Sequence, residues 1–341
     1  MSTDPRKLYN ILIADPDQQL GQVLRMVLRE MGFENINVTR SGQDAVRLLS
    51  TNPTDFLITE WSTLHLDGLS LIKHIRRNPD SPNPVLPIIM LTGRAEVADV
   101  HLARDHGINE YVVKPFSPKT IYSRLERIIE RPRPFVISNE FVGPDRRHKG
   151  TPPEGVSDRR VRSIKPQQAP ADVHGQNLPG NEPRIWLPDY SLKQKLGQNK
   201  TIQQFITNDL LNQAQQAIDA ITDESLTWIK ENLTELNALS IQMAQGDATA
   251  DLVNQLCDLA LTVNARAGTF GYTRASEVAY MLYLFCRNQL DPQRNSIHQA
   301  IIQKHIDVLR VLFAKNMRGI AGAAGAEIVT ELQKLVGKYS T

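Results

Sequence analysis

Residues 9–17 read YNILIADPD. Positions 9–14 form a short, mostly apolar run. It breaks at once on Asp15 and Pro16. A strand covered on both faces of a parallel sheet has this character. The run has four counterparts downstream: 35–38, 55–59 (DFLIT), 87–91 (PIIML) and 110–113 (EYVV). Between them the apolar residues change period. Leu20, Val23, Leu24, Val27 and Leu28 share one helical face, as do Leu69, Leu71, Ile72 and Ile75. Ala45, Leu48 and Leu49, then Val97, Val100 and Ala103, then Ile121, Leu125, Ile128 and Ile129 continue the series. Five strand–helix units within residues 1–130 predict a doubly wound α/β domain with a five-stranded parallel sheet. In such sheets chemistry gathers at the carboxyl ends of the strands.

The rest of the chain differs in composition. Ten of the 20 prolines fall between Pro132 and Pro188. From Arg131 to Lys165 there are nine Lys/Arg and four Asp/Glu, with the echoes GPDRR (143–147) and SDRR (157–160). Residues 131–199 therefore read as a flexible, basic, proline-rich linker. Within it FVISNEFVG (135–143) has the character of a short strand or a segment docked on the first domain. The Asp-Arg-Arg echoes suit either solvent or an acidic partner surface. Residues 200–341 carry no strand signal. They read as five or six amphipathic helices, at about 201–221, 224–245, 249–268, 273–290, 295–317 and 325–338, forming a bundle.

Across 341 residues, 39 Lys/Arg against 37 Asp/Glu leave a net charge of +2, which gives no reason to expect nucleic acid or membrane partners. The two cysteines, Cys257 and Cys286, have no disulfide-framework or metal-site spacing, which fits a cytoplasmic protein. No secretory leader pattern and no run of membrane-spanning length is present.

Four motifs stand at the expected strand ends: ILIADPD, TEWSTLHLDG, MLTG and YVVKPF. Together they make residues 8–130 resemble the receiver domain of bacterial two-component response regulators, chemotaxis-type ones included. In that family an aspartate accepts a phosphoryl group from a partner's phosphohistidine. An acidic pair and the acceptor hold a divalent cation. A hydroxyl residue and a lysine hold phosphoryl oxygens, and an aromatic residue reorients when the site fills. The resemblance assigns the hydroxyl to Thr92, the lysine to Lys114 and the aromatic switch to Tyr111. Pro115 follows the lysine, where family members often have a cis bond. Asp67-Gly68 closes the loop in the family manner, and a helix cap with a turn glycine explains it equally.

Two positions depart from the pattern. The acceptor position holds Glu60. The acidic pair is reduced to Asp15 followed by Pro16, with Asp17 shifted by one place. One extra methylene moves a carboxylate by over an ångström, which costs on the order of 100-fold in a reaction that depends on position. Glu60 is thus expected to replace phosphorylation by a permanent charge within reach of Lys114 and Thr92. It either locks an active-like conformation or forms an ion pair that holds the strand ends. No cofactor is certain, and a weakly bound Mg²⁺ at Asp15 stays open.

In the helical region LTVNARAGTFG (261–271) weakly resembles the motif of histidine phosphotransfer domains. Leu261 stands at the histidine position and Asn264 at the lysine position. His305, in QKHIDVLRVLF, sits at the edge of an apolar stripe and is the other candidate for phosphoryl chemistry, provided its ring is exposed. No nucleophile context, phosphate loop or recognition helix appears. The expectation is a non-enzymatic response-regulator-like protein that acts by protein–protein contact. Its partners would be a sensor histidine kinase, a receiver or another signalling protein, with a homodimer open. The alternatives are a working phosphorelay protein using Glu60 or His305, and a transcriptional regulator contacting DNA through the basic linker.

Overall fold

The computed structural model describes residues 4–146, 184–186, 191–197, 199–245, 249–288, 295–319 and 322–339. They divide into two compact units. The first is 1–113 with 118–215, and the second is 114–117 with 216–341.

The first unit is built on β1 (Asn10–Ala14), α1 (Gln18–Glu30), β2 (Asn35–Thr39), α2 (Gly42–Thr51) and β3 (Phe56–Thr59). It continues with α3 (Gly68–Arg77), β4 (Ile88–Thr92), α4 (Val97–Asp105), β5 (Glu110–Val113) and α5 (Pro118–Glu130). All five strands are parallel, in the order β2-β1-β3-β4-β5. The expected α/β class and strand positions are borne out. β3 and β4 are buried at every residue because helices cover both faces of the sheet. β2 lies at an edge and exposes Asn35 and Asn37. Side chains start three of the helices: Asp17 caps α1, Ser41 caps α2 and Asp67 caps α3.

The stretch 131–199, which composition reads as a linker, carries ordered elements. β6 (Phe135–Ile137) pairs antiparallel with β7 (Val142–Pro144) and with β8 (Arg184–Trp186), in the order β7-β6-β8. Phe135 and Ile137 point to a covered face and Val142 joins them, so apolar alternation outweighs the prolines here. The reading of FVISNEFVG as a short docked strand is therefore realised. Gly107, between α4 and β5, has φ +97°, and a Cβ there would lie 2.6 Å from the Val142 carbonyl, so glycine lets β7 approach.

α6 (Ser191–Leu196) and a 3-10 turn at Ile202–Gln204 also pack on the first unit. Leu192, Leu196, Ile202 and Ile206 are buried. The Tyr9 hydroxyl donates to the Leu192 carbonyl (2.6 Å). Lys195 Nζ reaches both oxygens of Asp55 (2.7 and 2.6 Å), and Arg6 donates to the Phe205 carbonyl (2.7 Å). Lys193 pairs with Glu130, whose other oxygen accepts from the Ile202 amide (2.8 Å). Residues 191–206 thus form a strap on the α/β domain. Burial, then the nearby Asp55 and Glu130 carboxylates, push the Tyr9 phenol well up. The intervening basic residues 147–183, including the SDRR echo, lie outside the described residues.

α7 (Asn208–Ala220) begins later than 201, because the 3-10 turn, with its Thr201/Gln204 capping box, takes the first residues. The second unit continues with α8 (Thr222–Gln245), α9 (Ala250–Thr269), α10 (Thr273–Asn288), α11 (Asn295–Ala314) and α12 (Gly322–Tyr339). α10 packs along α9, and α8 packs against α9 and α11. Polar clamps fix these pairs. Arg266 on α9 donates to Asn232 on α8 (2.8 Å), and Gln299 on α11 donates to the Ser240 hydroxyl on α8 (2.8 Å). No described helix is long and apolar enough to cross a membrane.

Candidate functional site

β1, β3, β4 and β5 are consecutive neighbours in a parallel sheet, so they end on one edge. Register fixes this: Ala14 lies opposite Thr59, Thr59 opposite Met90, and Thr92 opposite Val113. The next residues along the chain are Asp15, Glu60 and Lys114. Topology alone therefore gathers the residues that the four motifs singled out.

Asp15 is 3% exposed, and its Oδ1 accepts from the Asp17 amide (2.9 Å). Asp17 is used differently from a second metal ligand. Its carboxylate caps α1, accepting from the amides of Gln19 and Leu20 (both 3.1 Å). Between them Pro16 offers only its carbonyl, which accepts from Arg40 Nε (3.1 Å). Among the described residues no three His, Cys, Asp or Glu side chains are grouped so as to hold a metal ion. One buried aspartate, one capping aspartate and a proline do not fit the divalent-cation site that the receiver resemblance implies.

Glu60 is half-buried, and its amide donates to the Ala14 carbonyl (2.8 Å). Its Oε1 turns back to accept from the Trp61 amide (2.6 Å). A neutral donor at that distance makes a charge-assisted bond that holds the carboxylate over its own loop. The loop closes tightly: the Gly68 amide donates to the Trp61 carbonyl (2.7 Å), and a Cβ on Gly68 would sit 2.2 Å from the Glu60 carbonyl oxygen. Gly68 is thus required by close approach rather than by a turn. Asp67 beside it accepts from the Ser70 amide (3.0 Å) and hydroxyl (2.6 Å). Burial pushes the Asp67 carboxyl up, but the Ser70 bonds outweigh it and hold it below the usual value.

Thr92 is 1% exposed, and its hydroxyl accepts from the Arg94 amide (3.3 Å). Tyr111 packs its ring against the sheet's core and donates its hydroxyl to the Arg94 carbonyl (2.8 Å). The Arg94 guanidinium lies 5.1 Å above the ring of Trp61. A continuous path therefore joins the acceptor position to the aromatic switch: Glu60, Trp61, Arg94, Tyr111. Lys114 is buried, and the Lys114–Pro115 peptide is cis, as the family pattern suggested. At the start of β5, Glu110 is buried under Arg124, Arg127 and Arg133, at 3.5–3.6 Å, which anchors the strand that carries Tyr111.

Trp61 reads as loop packing in the sequence, and Arg94 carries no signal beyond following MLTG. No spacing rule links positions 61 and 94, so their stacking emerges only from the fold.

The helical candidates behave otherwise. His305 is fully buried rather than at the edge of its stripe. Its Nδ1 donates to the Ile301 carbonyl (2.8 Å), and its ring lies 6.3 Å from that of Phe285. Burial holds it below the ordinary 6.5, a trend the Ile301 bond only offsets. A ring closed off from solvent cannot meet a phosphoryl donor, so His305 is not an acceptor in this fold. Asn264 is buried too. Its amide donates to the Ser276 carbonyl and hydroxyl (both 2.9 Å) and pins α9 to α10. It is a helix clamp, not a phosphoryl ligand.

A doubly wound sheet with acidic, hydroxyl and lysine residues at one strand edge defines a receiver domain. The family described as the response regulator receiver domain matches residues 11–126. Chemotaxis protein CheY-3 of Vibrio cholerae is 32% identical over 125 residues, 37% of this chain and 95% of the relative. Chemotaxis protein CheY of Pseudomonas aeruginosa is 32% identical over 121 residues, 36% of this chain and 96% of the relative. The solved receiver domain of a Francisella response regulator is 27% identical, with a TM-score of 0.33. That match covers 37% of this chain and 99% of the solved one. The chain belongs to the response regulator receiver family of two-component signalling.

Proposed function

We propose that this protein is a pseudo-receiver of two-component signalling. It acts by displaying a fixed receiver surface to another signalling protein rather than by catalysis or by carrying a phosphoryl group. The observation that carries this reading is the path from Glu60 to Tyr111. The carboxylate at the acceptor position is already bonded to the Trp61 amide, Trp61 is covered by Arg94, and the Arg94 carbonyl holds the Tyr111 hydroxyl. A permanent charge thus stands where the family places a transient one, and the switch residue is tied to the loop after β4. The longer side chain and the incomplete acidic pair both work against phosphotransfer. The displayed surface is the edge of β4 and β5 around Thr92 and Tyr111. Its partner is a sensor kinase, a receiver or another protein of such a pathway.

Incubation of the full chain with acetyl phosphate and Mg²⁺, followed by intact-mass measurement and peptide mapping, tests this. No phosphoryl adduct is expected on Glu60. A stable or turning-over adduct there overturns the pseudo-receiver reading and restores a working phosphorelay protein.

A further inference from the structure

Helix α11 packs against α8, α10 and α12. Ile301, His305, Ile306, Leu309 and Leu312 are among the residues it buries there. Its outer side is a stripe that runs the length of the helix in steps of three and four: Ile297, Ala300, Lys304, Asp307, Val311 and Ala314. All six are exposed. Ile297 and Val311 are 40% and 39% exposed, and with Ile241 they are the exposed large hydrophobics of the helical unit among its described residues. Alternating steps of three and four are the a and d positions of a heptad, the pattern of a helix that packs lengthwise on another.

The order of the six residues selects the partner. Large side chains stand at 297 and 311, small ones at 300 and 314, and opposite charges at the centre. A second α11 laid antiparallel, on a two-fold axis between positions 304 and 307, sets Ile297 against Ala314, Ala300 against Val311 and Lys304 against Asp307. Every apolar layer then joins a large side chain to a small one, as interdigitation requires. The central layers join opposite charges, twice by symmetry. A parallel pairing instead sets Lys304 on Lys304, Asp307 on Asp307 and alanine on alanine. The stripe is therefore complementary to itself in one orientation. Within the chain Asp307 is held only loosely, by the Gln303 amide (3.1 Å) and by Arg310 at 3.8 Å. Beside the stripe, α11 and α12 leave a groove of about 400 Å³ lined by Val308 and Leu332, which are 7% and 2% exposed. It gives the facing side chains room next to the seam.

We propose that the helical unit associates with a second copy of this chain through an antiparallel pairing of their α11 stripes. A helix of 20 residues offers a seam only about 30 Å long, which places the pair among weak, reversible complexes. The surface belongs to the helical unit and does not rest on the pseudo-receiver reading.

Sedimentation velocity of the full chain is expected to show a monomer–dimer equilibrium with Kd on the order of 10–100 µM. Lys304→Asp sets aspartate against Asp307 in both central layers and weakens the dimer at least about tenfold, and Asp307→Lys does the same with lysines. Both positions are exposed, so circular dichroism and melting temperature stay those of the parent. Mixing the two variants restores association, because each lysine then meets an aspartate across the seam. The double exchange in one chain restores it too. Orientation is read separately: Ala300→Cys and Val311→Cys chains, treated with a short bis-maleimide, crosslink far faster when mixed than either does alone. A chain that stays monomeric at high micromolar concentration overturns the proposal, as does a dimer indifferent to the charge exchanges. Preferred crosslinking of each cysteine variant with itself overturns the antiparallel register.

Discussion

Tyr111 spends its hydroxyl on a backbone carbonyl, and that single bond sets what its ring can do. Tyr111→Phe is expected to cost about 1 kcal/mol in urea unfolding, the usual net worth of such a bond. Arg94→Ala removes the guanidinium from Trp61, a contact worth about 0.5–1 kcal/mol at a partly exposed site. In amide and indole spectra it should move the signals of Trp61 and Tyr111 together and leave β1 and β2 unchanged. Independent responses at the two residues would break the path argued from Glu60. A second residue holds the opposite end of the domain. Arg76 on α3 is 1% exposed and donates to the carbonyls of Gly107 (2.9 Å), Pro84 and Leu86 (both 2.8 Å), while its guanidinium lies 5.2 Å from the Phe135 ring. Arg76→Met strands those acceptors in the interior and is expected to cost at least about 3 kcal/mol by chemical denaturation. In the sequence Arg76 is only the first of two arginines at a helix end. What makes it structural is a set of carbonyls from distant turns, which no local pattern records. By contrast Thr92, Tyr111, Lys114 and Pro115 were singled out in the sequence by the resemblance of MLTG and YVVKPF to receiver motifs, which an arginine at a helix end does not offer.

At the scale of elements, the five strands and five helices of the α/β domain were legible because short, mostly apolar runs alternate in order with segments whose apolar residues recur with a period near 3.6. The strap was not. SLKQKL is too short to show a period, and it lies in proline-rich surroundings. Its placement comes from long-range partners: Leu192 under Tyr9, Lys195 on Asp55 and Lys193 on Glu130. Leu192→Ala is expected to cost about 2–4 kcal/mol, as burial in a packed site implies, measured by thermal or urea unfolding of the full chain. A cost under about 0.5 kcal/mol would mean that the strap merely rests on the surface. In the helical unit, α11 carries a titrating element. His305 is neutral in the fold and sits below its ordinary 6.5, so the unfolded chain binds a proton that the folded one refuses. Its contribution is fully present above 6.5 and is lost as pH falls below that value. Melting curves should therefore show a lower Tm at pH 5 than at pH 7.5, and His305→Leu should flatten that difference.

Over the whole molecule, the division of the chain differs from the division of its composition. The proline-rich stretch marks no single boundary, since its two ends both return to the first unit and residues 200–215 belong there as well. A chain ending at Glu130 lacks the buried Leu192, Leu196, Ile202 and Ile206, and should melt at least about 5 °C below one ending at Gln215. The small sheet has one more consequence. The backbone leaves it at Pro144, opposite Phe135, and re-enters at Arg184, opposite Ile137, on the other side of the same central strand. Strand spacing and rise put those two points roughly 10–12 Å apart. For a flexible insert, closure entropy grows only by about 0.6 kcal/mol per doubling of length, so chain added between these two points costs the sheet little. The sheet is in effect a splice point: a folded guest whose own ends are about that far apart can be grafted there without unpairing β6.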